Sequence, residues 1–305
     1  MIEYLLTLVL LFVTVLVVSG NNTSVSIGPL VGSGSARIRN AQVIVIIGFI
    51  SGLIIQGQRM QTASYYLLPF RTPGMVALAF LVTSLIFTLG HFLKTPLSLT
   101  MALVGVLLGM SFHSYSAVSS AFVLRMVLLW SIAPLAAFLL SYLANRALGR
   151  FQSHSIWRRL EILRALLIAT SFIASYTLGT NTIGLIVSIA GFSPLDVILS
   201  SVAIVAGVLL FSSGEINRIG RELFSLRTTG ALTSIFISAF LVEAGTLLSI
   251  PVSNSQALSS GVMGVGFSYR TRFVRLWPFA IIILGWIITP LLGFIAGFGI
   301  QFFYR

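Results

Sequence analysis

Pro96-Leu97-Ser98-Leu99-Thr100-Met101-Ala102-Leu103 and Pro251-Val252-Ser253-Asn254-Ser255-Gln256-Ala257-Leu258 are two copies of one pattern. Both read proline, aliphatic, serine, variable, hydroxyl, variable, alanine, leucine. Each runs on into a glycine-rich apolar stretch, Val104-Gly105-Val106-Leu107-Leu108-Gly109 in the first copy and Ser259-Ser260-Gly261-Val262-Met263-Gly264 in the second. A Pro-started, hydroxyl-rich half-helix that occurs twice in a hydrophobic chain points to a membrane transporter built from repeats.

The surrounding composition puts the chain in a bilayer. Of its 305 residues 57% are hydrophobic and 8% charged, and the mean hydropathy is +1.05, more apolar surface than a soluble domain can cover. Apolar runs recur at 4–18, 43–55, 75–92, 117–143, 160–178, 197–212, 230–249 and 277–303, several of them too short to span alone. The first run has no basic segment ahead of it and leads into Asn21-Asn22-Thr23, so it reads as a retained helix and not a signal peptide. The net charge of +12 comes from 17 arginines and one lysine against six carboxylates, and nearly all the basic residues fall between apolar runs. They read as topogenic and headgroup-contacting charges. No polar stretch is long enough for a folded nucleic-acid-binding unit. The absence of cysteine excludes disulfides, thiolate metal sites and cysteine catalysis.

The basic stretch 145–159, with Arg146, Arg150, Arg158 and Arg159, divides the chain into a first transmembrane repeat, 1–144, and a second, 160–305. Each half opens with an apolar helix containing a polar cluster, Ser19-Gly20-Asn21-Asn22-Thr23-Ser24 and Leu178-Gly179-Thr180-Asn181-Thr182. Both clusters precede the Pro-started motif by a similar interval, and this ordered recurrence carries the functional reading. Backbone in lipid must satisfy its own hydrogen bonds, so a break within an apolar run survives only where it is buried in protein or lines a wet cavity. A half-helix beginning at such a break offers unpaired N–H groups and the positive end of its dipole to an anion. Four such starts are expected, after Gly20, Pro96, Gly179 and Pro251, converging on one small oxyanion. The candidate substrate-binding residues are Gly20, Asn21, Asn22, Thr23, Ser98, Thr100, Gly179, Thr180, Asn181, Thr182, Ser253, Asn254, Ser255 and Gln256. Gly261, Gly264 and Gly266 read as packing residues.

Glu243 alone among the carboxylates sits well inside an apolar run, and an intramembrane carboxylate is costly enough to be a coupling candidate, here for a proton. Asp196, after Ser193-Pro194, reads as a helix cap. His91, His113 and His154 have neither metal-ligand spacing nor a carboxylate partner in sequence, so no metal site is expected, and His91 and His113 read as interfacial. No Ser/His/Asp order, Walker loop or paired carboxylate marks an enzyme.

These motifs resemble those of the inorganic phosphate transporter (PiT) family, of the sodium/phosphate symporter type. That family carries two Gly-Ala-Asn-Asp-x-Ala-Asn signatures and two Pro-Val-Ser-Thr-Thr-His-Ala signatures in inverted repeats. Gly20 and Asn22 match the first signature and Gly179 and Asn181 its second copy. Pro96, Ser98, Thr100 and Ala102 match one hairpin signature, and Pro251, Val252, Ser253 and Ala257 the other. The resemblance implies an all-α polytopic membrane protein of two inverted repeats with broken helices and re-entrant hairpins. The departures are that Thr23 and Thr182 stand where the family has Asp, Ser26 and Leu185 where it has the final Asn, and Met101 and Gln256 where the hairpins have His. Without those aspartates, associated in the family with coupling cations, a sodium site would be weaker and repulsion against an anion smaller.

The expectation is therefore a secondary active transporter of inorganic phosphate, multi-pass in the cell membrane and working by alternating access without a cofactor, with Na+ or H+ open as coupling ion. Its alternatives are a proton-coupled permease for sulfate or another oxyanion and, less favoured, an anion channel or a non-transporting scaffold. The family's architecture also makes a homodimer an expectation, and no nucleic-acid partner is expected.

Overall fold

All eight apolar runs fold as helices long and apolar enough to cross a bilayer: Ile2–Gly32, Ile38–Leu67, Pro73–Gly90, Ser120–Leu148, Leu160–Ala190, Pro194–Phe211, Thr228–Leu247 and Ala280–Ile300. The computed structural model describes residues 1–69, 71–92, 97–112, 119–148, 156–223, 228–269 and 276–303, and among these there is no β-strand. The first half holds α1 (Ile2–Gly32), α2 (Ile38–Gln56), a 3-10 turn (Gly57–Met60), α3 (Gln61–Leu67), α4 (Pro73–Phe92), α5 (Leu99–Phe112) and α6 (Ser120–Leu148). The second holds α7 (Ile156–Leu178), a π-helical turn (Gly179–Ile183), α8 (Gly184–Ala190), α9 (Pro194–Leu223), α10 (Thr228–Leu247), α11 (Asn254–Tyr269) and α12 (Leu276–Phe303).

The halves correspond in order. α1 matches α7 with its π turn and α8, α2–α3 match α9, the α4–α5 hairpin matches α10–α11, and α6 matches α12. With 14 and 16 residues, α5 and α11 rise about 21–24 Å, short of the roughly 30 Å hydrocarbon core. They are the inner arms of two re-entrant hairpins. The two halves are inverted repeats of one another.

The repeats interleave. α5 lies along α12 and α11 along α6, and in the same way α1 lies along α9 and α2 along α7. Glycines set the spacing. A Cβ at Gly105 or Gly109 would overlap the carbonyl oxygens of Pro290 or Phe294, and one at Gly293 or Gly297 those of Ala102 or Val106. Across the other pair, a Cβ at Gly264 would overlap the Phe138 carbonyl. Small residues let helix backbones touch where lipid supplies no hydrophobic drive between helices, as expected for Gly261 and Gly264.

The structure corrects two of the four expected half-helix starts. α1 is not interrupted at residues 19–24; it runs as one helix to Gly32. Its polar side chains bond to their own helix: Asn22 Nδ2 donates to the Val18 carbonyl at 3.0 Å and Thr23 Oγ1 to the Ser19 carbonyl at 2.5 Å. Bonded in this way, Asn22 and Thr23 are accommodated within a continuous helix. Gly20 serves contact instead, since a Cβ there would come within 2.8 Å of Phe211 Cβ and 3.0 Å of the Gly207 carbonyl on α9. In the second half the equivalent cluster widens the helix into the π turn at Gly179–Ile183 without breaking it, so the half-helix start expected after Gly179 is absent as well.

Helix enters both ends of the 145–159 stretch, and residues 149–155 lie outside those described. Asn145 is buried in α6 and donates to Ser268 Oγ of α11 at 2.6 Å. Asp196 caps α9 reciprocally: its carboxylate accepts from the Ser193 N–H at 2.9 Å, and its own N–H donates to Ser193 Oγ at 3.2 Å.

Candidate functional site

Ser98 and Ser253 immediately precede α5 and α11, and their hydroxyls lie 2.9 Å apart. These are the same position of the duplicated motif, one from each repeat, so the half-helices meet N-terminus to N-terminus. Each serine is the N-cap of its helix, accepting from the N–H three residues on: Met101 to Ser98 Oγ and Gln256 to Ser253 Oγ, both at 3.4 Å. The first-turn N–H groups of both helices have no intrahelical acceptor, and both dipoles are positive here. Ser255 Oγ sits 3.0 Å from Ser253 Oγ, and Ser238 of α10 donates to Asn254 Oδ1 at 3.0 Å, which leaves the Asn254 amide nitrogen to donate. Ser98, Thr100, Ser253, Asn254 and Gln256 are all buried, Ser255 partly so. Pro96 lies outside the described residues.

In this arrangement one of the two hydroxyls donates to the other, and Ser255 continues the chain. An oxyanion entering between them would take donors from Ser98, Ser253, Ser255 and Asn254 together with the N–H groups of two helix starts, and meet no side-chain carboxylate among these residues. A separate hollow of about 440 Å³, lined by Leu108, Phe112, Val123, Leu124, Val127 and Phe294 with Ser120, is apolar and offers an anion almost nothing.

The π turn supports the second hairpin. Asn181 is fully buried; its Nδ2 donates to Thr246 Oγ1 at 3.1 Å and to the Ile250 carbonyl at 3.2 Å, and its Oδ1 accepts the Val252 N–H at 2.9 Å. Thr180 Oγ1 donates to the Thr177 carbonyl and lies 3.3 Å from Thr246 Oγ1. Asn181 therefore grips the strand of chain that presents Ser253. Thr182 is buried in the same turn, and at Gly179 a Cβ would overlap the Phe49 carbonyl of α2. The first-half cluster is placed differently: Asn22 and Thr23 bond within α1, and Asn21 is partly buried on the same helix. The sequence-derived set thus resolves into a cluster of hydroxyls and amides at the two hairpin starts, a clamp at the π turn, and a helix–helix contact at Gly20.

Glu243 faces a polar chain of three helices. Gln56, at the end of α2, donates Nε2 to Glu243 Oε1 at 2.5 Å and accepts at Oε1 from the Tyr176 hydroxyl of α7 at 2.9 Å. Glu243 Oε2 is buried without a partner among the described residues. One turn along α10 from Glu243 stands Thr246, which accepts from Asn181. Gln56, Tyr176, Thr246 and Ser238 were not among the residues singled out from sequence; the available signal was that each is polar within or beside an apolar run. Trp130 was also missed: its Nε1 donates to the Pro251 carbonyl at 2.7 Å, holding the second hairpin's proline from α6. Arg71 does more than carry topogenic charge, since its Nη1 donates to the Ser188 carbonyl at 2.6 Å and to Ser64 Oγ at 3.2 Å, closing the C-terminal end of α8.

The sequence profile of the phosphate transporter family matches the chain twice, over residues 18–166 and 152–297. A protein of Methanocaldococcus jannaschii named as a phosphate permease is 26% identical over 298 residues, 96% of this chain and 95% of its own length. A Bacillus subtilis protein named as a low-affinity inorganic phosphate transporter is 21% identical, covering 88% of this chain and 87% of its own. A sulfate permease of the same organism is 22% identical, over 82% and 73%. The solved structure of a sodium-dependent phosphate transporter superposes with a TM-score of 0.83 at 15% identity, covering 100% of this chain and 99% of that one, so the fold is shared.

Proposed function

The chain belongs to the phosphate transporter family, and from that premise we propose that it carries inorganic phosphate across the cell membrane by alternating access, the anion held between the N-termini of α5 and α11. The observation that carries this reading is the 2.9 Å contact between Ser98 and Ser253, which joins two positive helix ends from opposite repeats. An anion there would share its charge between the repeats, so their relative rocking would expose it to either face in turn. Asn181 and Trp130 would hold the second hairpin during that motion through the Ile250–Val252 backbone and the Pro251 carbonyl.

Glu243 is the proposed coupling group and the proton the proposed coupling ion. In support, Oε2 lacks a partner, Oε1 is held by Gln56, and Thr246 links this part of α10 to the clamp. Sulfate is the second reading, favoured by a cradle without carboxylates and by similarity to a sulfate permease.

The test is uptake of labelled phosphate and sulfate into proteoliposomes under an imposed sodium or proton gradient. Accumulation of phosphate is expected, and Ser98→Ala and Ser253→Ala should each lower phosphate affinity about tenfold or more, since a hydrogen bond to a charged group contributes about 1.5–3 kcal/mol. Ohmic anion current without accumulation would instead establish a channel, and no flux of either kind a scaffold.

A further inference from the structure

Gln256 occupies the third position of α11, counted from Ser253 as N-cap. Glutamine there ordinarily completes a capping box by accepting the N-cap backbone N–H. Here the box is half made. Ser253 Oγ accepts the Gln256 N–H, but Gln256 Oε1 is buried with no partner among the described residues, in a side chain only 4% exposed. Side chains in a helix lean toward its N-terminus, so this one lies over the turn that begins at Ser253, whose hydroxyl touches Ser98. None of the neighbouring donors reaches it, neither the first-turn N–H groups nor the serine hydroxyls and the Asn254 amide nitrogen.

A buried carbonyl oxygen without a donor is unfavourable, and the penalty is relieved only by a ligand that brings a hydrogen. A fully deprotonated oxyanion brings none and is repelled by the carbonyl dipole. Near neutral pH phosphate keeps at least one P–O–H, whereas sulfate keeps no proton. The equivalent position of the first hairpin is Met101, whose thioether is a weak acceptor, so of these two positions only Gln256 offers a ligand hydroxyl a strong acceptor. We propose that Gln256 Oε1 accepts the P–O–H of bound phosphate, and that this residue selects a protonated oxyanion over sulfate. The proposal rests on the phosphate-carrier reading and assigns the specificity of that same site.

The experiment measures equilibrium binding of phosphate, sulfate and monofluorophosphate to the purified full chain. Monofluorophosphate is a tetrahedral dianion in which fluorine replaces the hydroxyl. The wild-type chain should bind phosphate at least about tenfold tighter than either analogue, and Gln256→Met, which copies the first hairpin, should bring the three within about threefold, phosphate losing most. Phosphate binding with no preference over monofluorophosphate in the wild type would overturn the role of Gln256 while leaving the carrier reading in place; so would a Gln256→Met variant that keeps the full preference. Absence of phosphate binding in the wild type would overturn the carrier reading itself. Should Gln256→Met not fold, the wild-type comparison decides alone.

Discussion

Asn22 and Asn181 are equivalent positions of the two repeats, yet the structure predicts opposite consequences for replacing them with alanine. Asn181→Ala removes three buried hydrogen bonds. Thr246 keeps its bond to the Val242 carbonyl, but the Ile250 carbonyl and the Val252 N–H lose these partners at positions that are 6% and 1% exposed. Stranding a buried backbone group costs about 1–3 kcal/mol, so two amount to roughly 2–6 kcal/mol, before any loss in positioning Ser253 one residue on. Asn22→Ala removes one bond, to the Val18 carbonyl of its own helix, and gains the better helix propensity of alanine; the net change should stay within about 1 kcal/mol. Thermal unfolding in detergent, with phosphate affinity measured on the same samples, checks both. Asn181→Ala should lower the midpoint by about 5–10 °C and weaken phosphate at least tenfold, and Asn22→Ala should do neither. Equal shifts for the two variants would refute the assignment of Asn181 as a clamp and of Asn22 as a residue bonded within α1.

Two further outcomes follow from the packing and the polar chain. Gly297→Ala should destabilise by about 1–3 kcal/mol, because its Cβ would land on the Val106 carbonyl, whereas Gly299→Ala, two residues along the same helix with nothing within 4 Å, should be neutral or stabilising by up to about 1 kcal/mol; paired unfolding curves decide it. Glu243→Gln should flatten the pH dependence of phosphate uptake while the chain still binds the anion, and uptake that stays fully pH-dependent in that variant would exclude Glu243 as the proton carrier.

Much of this architecture could be read before any coordinates. Apolar runs are set by local composition, which is why all eight appear as helices long and apolar enough to cross. The serine pair was legible because duplication writes the same start twice. What sequence could not supply was the partner of each polar side chain. Asn22-Thr23 and Asn181-Thr182 are spelled alike, but one pair turns onto the carbonyls of α1 while Asn181 reaches the chain ahead of α11. The choice is made by neighbours far along the chain: α9 presses on Gly20, and Thr246 and Ile250 stand opposite Asn181. Gln56 and Tyr176 were missed for the same reason, because their meaning comes from Glu243, nearly 190 residues from Gln56 and on another helix.

The crossed pairing of α5 with α12 also orders the birth of the molecule. α5 is too short to cross lipid by itself, and its glycine face meets nothing until α12 is made, about 160 residues later. At about 5–20 residues per second, a nascent chain holds an unsheltered half-helix for roughly ten to thirty seconds. Through that interval the ribosome-bound intermediate must keep a partly polar segment, Ser98 included, in the insertion machinery or at the lipid interface. The final helix thus acts as the latch that commits the first hairpin to its depth, and translation arrest ahead of α12 would leave a chain ready for quality control.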